Sequence, residues 1–195
     1  MSTTTTTPRD ALTTELERLY YVERELCDEL ETLAADVSID ALDDGRATGC
    51  REQLCETIDE HCSETRRHCE RIENAFDALG EEPATRRVPE FDGLIADKEK
   101  FNNVVLNDEL RPLYYVETVL KLEALECTSY ETALSLASTI EGEESEAVVD
   151  ALRPNYDDER AMRTDVESLA DGGAVDRLLA ASPVDDARRE SLDRI

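Results

Sequence analysis

The residues of this chain best suited to chemistry are two histidines and a set of glutamates that interrupt otherwise apolar helical stripes. Glu23 interrupts the run Leu12, Leu16, Leu19, Leu26, Leu30, Leu33 and Val37. His61, Glu64, Thr65 and His68 interrupt Leu54, Ile58, Ile72, Phe76 and Leu79, and these are the only two histidines in the chain. Glu123, with Glu126 one step around, falls among Val116, Leu120, Cys127, Tyr130, Leu134 and Ala137. Glu159 falls among Val148, Leu152, Met162, Val166 and Leu169. Steps of three and four put such residues on one helix face. Four helices therefore carry ionisable groups near the middle of the face each should bury.

Burial at that depth needs compensation. A carboxylate taken out of water costs several kcal/mol even after relaxation, and several close together cannot all ionise without positive charge nearby. Arginine, shared protons or a bound cation would each serve, but a mixture of Glu and His in an interior is what a divalent transition metal selects. A four-helix bundle gathering Glu and His from facing helices is a known way to hold two iron or manganese ions. The candidate metal ligands are Glu23, His61, Glu64, His68, Glu123, Glu126 and Glu159, and the expected cofactor is iron or manganese, as a dinuclear centre at fullest occupancy. The competing reading is a buried polar network without metal, with Arg163 as counter-ion.

The elements that must position these residues follow from the same periodicity. The first helix should run from about Arg9 to Val37, and SIDALDDGRATG at 38–49 should break it. The second should run from about Cys50 to Leu79, stopped by Gly80 with Pro83 beyond. Residues 80–107 contain Pro83, Pro89 and Gly93 and only a short periodic piece near Leu94–Val105. Neighbouring antiparallel helices need only ~2–8 connecting residues, so this is a crossover. One long crossover in the middle of four helices is the ferritin-like topology. The third helix should span about 108–140 and the fourth about 144–170, with Pro154 kinking the fourth. The chain then divides into a disordered tail at 1–8, a bundle at 9–170 and a short helical tail at 171–195. The pentapeptide LYYVE occurs at Leu19–Glu23 and again at Leu113–Glu117. Taken literally it would pair Glu117 with Glu23, but Glu123 and Glu126 are better centred among apolar residues.

Composition sets outer limits. The chain has 195 residues, 48 Asp plus Glu against 21 Lys plus Arg, and a net charge of −27. Such a surface repels nucleic acid and anionic membrane, so neither is an expected partner. With only three lysines, Lys98, Lys100 and Lys121, the pattern points to a host with a salty cytoplasm, where screening makes self-repulsion tolerable. No apolar run approaches the ~18 residues of a membrane span, and the threonine-rich start lacks the features of a secretory signal. The expected location is cytoplasmic. Six cysteines at 27, 50, 55, 62, 69 and 127 include no C-x-x-C pair, which excludes a locally encoded zinc ribbon. Cys55, Cys62 and Cys69 repeat every seven residues and read as small, reduced residues at a helix contact.

The segments LYYVEREL, HCSETRRHCERIENAFDALGEEP, FDGLIA and LEALECTSYETALSLA resemble the ferritin-like family of stress proteins called YciE/YciF, over roughly residues 12–170. The best-marked parts are His61, Glu64, Thr65 and His68, then Arg71, and the Leu-Gly-Glu-x-Pro loop. The resemblance implies a helical bundle, a homodimer, and a link to iron handling. It places Glu23, Glu64, His68, Glu126 and Glu159 on the family's interior positions, with His61 and Glu123 beside them. Two positions depart from the family pattern: Arg163 stands where an aspartate is usual, and Ala124 where histidine is frequent. These departures favour one metal, or none, over two.

Two functions are consistent with these residues. One is a metal-binding stress protein that oxidises iron or scavenges peroxide, with Tyr20, Tyr21 and Tyr130 near enough to donate an electron or a proton. The other is a non-catalytic structural or partner-binding bundle. No nucleophile–base triad, phosphate loop or dinucleotide fingerprint is present. Self-repulsion of the acidic surface predicts that the melting temperature rises as salt goes from low ionic strength toward molar levels. A melting temperature that stays flat or falls across that range contradicts the halophilic reading.

Overall fold

The computed structural model describes residues 6–41, 48–104 and 111–169. They form α1 (Pro8–Ala41), α2 (Thr48–Ala78), α3 (Pro89–Val104), α4 (Arg111–Ala137) and α5 (Glu143–Leu169). No strand occurs among the described residues. The chain is all-α, and α1, α2, α4 and α5 are the four expected long helices.

Local chemistry sets where these helices begin and end. Asp10 N–H donates to Thr7 Oγ1 at 3.1 Å, and Thr7 N–H donates to the Asp10 carboxylate at 2.9 Å. This is a reciprocal cap, with Pro8 at the first helical position. The helix thus starts inside the segment expected to be a disordered tail. The start of that segment at 1–5, the middle of the first connection at 42–47 and the expected C-terminal tail at 171–195 lie outside the described residues. At the end of α2, Gly80 adopts a φ of 67°. Glu81 N–H then reaches Phe76 O at 3.0 Å, while Gly80 N–H reaches Asp77 O at 2.9 Å, which satisfies the last carbonyls. α5 runs from Glu143 to Leu169 with Pro154 inside it.

The crossover holds more helix than its sequence pattern shows, because α3 is 16 residues long. Phe91 is buried, Leu94 and Ile95 are partly so, and Lys98 takes the next inward position, so the stripe reads as broken. The Lys98 ammonium lies 3.3 Å from Glu29 and 3.9 Å from Asp36 of α1, and 3.0 Å from Glu99. The crossover is further tied to α1 by Arg86 N–H donating to Glu17 O at 2.9 Å and by Tyr21 O–H donating to Asp92 at 2.7 Å.

α1 packs against α2 and α4, and α5 packs against the same two helices. The apolar interior consists of two layers. One joins Leu12, Leu16 and Leu19 at the start of α1 to Phe76 and Leu79 at the end of α2, Leu134 and Ala137 at the end of α4, and Val148 and Leu152 at the start of α5. The other joins Leu33 and Val37 late in α1 to Leu54 and Ile58 early in α2, Val116 and Val119 early in α4, and Val166 late in α5. α1 and α5 therefore run one way and α2 and α4 the other. Because α2 and α4 are parallel, the chain between them must travel the length of the bundle, and α3 makes that journey. No described helix is long and apolar enough to cross a membrane.

The sulfurs of Cys55 and Cys62 face backbone oxygens of Ala34 and Cys27 along the α1–α2 contact. The five described cysteines are free thiols. Gly80→Ala should destabilise the fold by about 1 kcal/mol, the cost of a Cβ at a left-handed backbone position. Chemical denaturation measures this, and an unchanged midpoint would show that the α2 terminus does not depend on that conformation.

Candidate metal centre

Between the two apolar layers lies a polar one. Glu23 of α1, His61 and His68 of α2, Glu123 and Glu126 of α4, and Glu159 of α5 are each at most 1% exposed. His61 Nε2 is 3.4 Å from Glu123 Oε1 and 3.7 Å from Glu159 Oε2. His68 Nδ1 is 2.8 Å from Glu159 Oε1 and 3.4 Å from Glu23 Oε2. Glu159 thus turns one oxygen toward each histidine, and the two imidazole centroids stand 6.3 Å apart. Ligand atoms of His61, Glu123, Glu126 and Glu159 lie within 4.8 Å of one another, as do those of Glu23, His68 and Glu159. Both groups could hold a metal ion, and they share Glu159.

Helix geometry explains which expected residues join this layer. His61 and His68, seven residues apart, lie nearly in line on α2, whereas Glu64 sits roughly 60° around the helix from His61. Thr65 takes the inward place, with its hydroxyl donating to His61 O at 2.9 Å. The Glu64 side chain is 32% exposed and stands at the rim, 3.3 Å from Arg67 Nη2 and 4.0 Å from His61 Nδ1. It is the one candidate not brought into the buried layer. Glu117, the literal repeat partner of Glu23, is exposed and pairs with Lys121 at 2.7 Å. Arg163 is also outside: it is 46% exposed and pairs with Glu167 at 2.8 Å. The counter-ion expected of it is therefore not supplied. Among the described residues, no arginine or lysine pairs with Glu23, Glu123, Glu126 or Glu159.

A polar collar surrounds His68, made of Tyr130 and Arg71, which the sequence had marked, and of Asn155 and Asp158, which it had not. Asn155 is fully buried, and its amide donates to Tyr130 Oη at 2.9 Å and to His68 O at 3.2 Å. Tyr130 in turn donates its hydroxyl to Glu23. Asp158 faces His68 Nε2 at 3.3 Å, and one Arg71 nitrogen donates to Asp158 at 2.8 Å and Asn155 at 2.9 Å. A carboxylate on the outer nitrogen fixes the tautomer of a histidine whose inner nitrogen faces a metal-binding group. Asn155 had a signal in sequence, since it continues the α5 stripe between Leu152 and Glu159. Tyr20 and Tyr21 point elsewhere and are satisfied by Glu73 and Asp92.

The electrostatics are those of an undercompensated site. Burial, then the charge of Glu159, holds the Glu123 and Glu126 carboxyls well above the usual carboxylate range. Burial likewise raises Glu23, although His68 opposes it. For His68 burial favours the neutral ring, but the charge of Glu23 and the close approach of the Glu159 and Glu23 carboxylates to Nδ1 outweigh it and push the pKa up to about 10. Burial and the Glu23 charge also drive the Tyr130 phenol upward. Among the described residues nine buried side-chain atoms make no hydrogen bond of good geometry, and all nine belong to Glu23, His61, His68, Glu123, Glu126 and Glu159. Each such group costs about 1–3 kcal/mol, and charged ones cost more. A rigid layer with this many open donor and acceptor positions is unsatisfied as a hydrogen-bonded network.

The fold and this layer define a four-helix bundle of the ferritin-like class with a carboxylate–histidine interior. The chain belongs to the DUF892 family, described as a domain of unknown function, whose model matches residues 7–179. The stress protein YciF of E. coli has a similar structure, with a TM-score of 0.73 and 22% identity over 88% of this chain and 99% of that one. YcfI of Rhodopseudomonas palustris, described as a proposed structural protein, is similar at a TM-score of 0.72 and 21% identity, covering 86% and 98% of the two chains. No match was found among curated protein sequences.

The raised pKa values set a pH dependence for chelator-treated protein. A carboxyl raised above its unfolded value of 4.5 stabilises the fold fully below that pH and loses the contribution as pH rises through its folded value. His68 acts in the same direction: its contribution is complete below 6.5 and is lost as pH rises through about 10. Stability of the metal-free bundle should therefore decline from mildly acidic to alkaline pH. Glu126→Gln should be more stable than the parent at neutral pH and decline less steeply. Denaturant unfolding across the pH range tests this, and parallel curves for parent and variant would refute it.

Proposed function

We propose that the bundle core is a metal-binding centre for two divalent transition-metal ions, with iron or manganese as the natural occupants. His61, Glu123, Glu126 and Glu159 would hold one ion, Glu23, His68 and Glu159 the other, and Glu159 would be shared. The observation that carries this reading is the set of nine buried atoms without a well-formed hydrogen bond, confined among the described residues to these six. Their chemistry fits: imidazole nitrogen and carboxylate oxygen suit iron and manganese. Four carboxylates also carry the charge that two divalent cations neutralise. The departures at Arg163 and Ala124 weigh less against two ions, because Arg163 is turned to solvent and the donors come from other positions. Iron bound in such a site supplies electron-transfer chemistry toward oxygen or peroxide, and the proposed activity is iron oxidation or peroxide scavenging.

The chain's own residues have definable parts in this. The apolar layers above and below keep bulk water from the centre. Asp158, steadied by Arg71, orients the His68 ring, and Asn155 links that helix to Tyr130. Tyr130 holds a proton on Glu23 Oε1, beside the centre, and is the tyrosine placed to donate there. A stress-associated role is consistent with the shared fold of YciF, and the acidic surface is consistent with a saline cytoplasm. The non-catalytic network reading lacks its counter-ion, since Arg163 faces solvent.

Metal analysis of protein purified without chelator tests the proposal. The expected result is two iron or manganese ions per chain, falling to one or fewer in Glu159→Gln. A parent with no stoichiometric metal, even after anaerobic incubation with Fe(II) or Mn(II), would leave the bundle a structural one.

A further inference from the structure

We propose that Glu64 and Asp158 form the receiving site through which divalent cations pass from solvent to the buried layer; this rests on the metal reading above. The six inner residues are sealed from water, so a cation must cross a wall of the bundle. The two apolar layers offer it no carboxylate or imidazole along the axis. The α1–α2 contact carries thiols, which suit soft ions poorly matched to a carboxylate-rich interior.

The α2–α5 wall differs. Here Glu64 and Asp158, 32% and 30% exposed, each stand on the outer side of a buried histidine. Glu64 Oε2 lies 4.0 Å from His61 Nδ1, and that nitrogen is buried without a hydrogen-bond partner. Asp158 Oδ2 lies 3.3 Å from His68 Nε2. Both histidines turn their other nitrogen to Glu159. The wall is thus a continuous series of ligand atoms: a partly exposed carboxylate, an imidazole with one nitrogen outward and one inward, then the shared glutamate. Arg67 holds the second oxygen of Glu64 at 3.3 Å, and Arg71 holds Asp158 at 2.8 Å. These contacts aim the carboxylates; Arg67 is exposed, and Arg71 reaches past Asp158 to the buried Asn155. The function of Glu64 is accordingly capture and transfer of the cation, not its final coordination.

The test is stopped-flow uptake of Co(II) by chelator-treated protein, followed by the visible absorption of the bound ion. Glu64→Gln should slow association by roughly tenfold at low salt, within the range that focused surface charge supplies. The final Co(II) content per chain should match the parent, and the salt dependence of the rate should flatten. Glu64→Asp, which keeps the charge, should retain most of the parental rate. Variants that fill as fast as the parent would overturn the receiving role and leave the metal centre standing. A Glu64→Gln protein that fills to a lower final content would also overturn it, because Glu64 would then be a ligand. A parent that takes up no Co(II) would overturn the metal centre itself, and this proposal with it.

Discussion

Four carboxylates held out of water within a few ångströms of one another are the constraint around which this bundle is organised. Placing them there costs several kcal/mol per charge unless something positive answers, and the basic side chains nearest to them are spent elsewhere. Arg67 and Arg71 are engaged by Glu64 and Asp158 at the rim, and Arg163 by Glu167. His68 is the proton-bearing group that answers from inside. One imidazolium against four glutamates leaves a deficit, and burial together with the Glu159 charge pushes the Glu123 and Glu126 carboxyls well above the usual carboxylate range.

Glu159 is where the two halves of this layer meet. Its oxygens reach both histidines only if α5 is rotated correctly against α2, and a slip of one residue would swing the carboxylate by roughly 100°. The Asn155 amide bond to His68 O and the Asp158 contact with the His68 ring lock that rotation one turn and one residue before Glu159. The collar thereby positions the layer as well as satisfying its own polar groups.

Much of this was legible in the sequence because apolar periodicity is a strong signal, and a charged residue within it is conspicuous. Glu23, His61, His68, Glu123, Glu126 and Glu159 were all visible as interruptions. Glu64 was misplaced because three- and four-residue steps from the histidines look alike on paper, while in space Thr65 holds the inward position. Asn155 is masked in the sequence by its neighbour Pro154, whose helix-breaking character dominates that stretch of α5. Asp158, the ring's outer partner, could not be read at all, since which surface carboxylate meets His68 depends on how α5 packs on α2. The helix in the crossover was obscured by a lysine on its buried face.

The parallel course of α2 and α4 has a consequence for assembly. Glu23, His61 and His68 belong to the α1–α2 hairpin, and Glu123, Glu126 and Glu159 belong to the α4–α5 hairpin. Each hairpin is built from contacts near in sequence and can form early, whereas their union closes a long loop and comes late. The full accumulation of negative charge exists only after that union. The last step of folding therefore brings the histidine-bearing half-site against the one that holds three of the four carboxylates, and a cation bridging them would act as the clasp of the finished molecule.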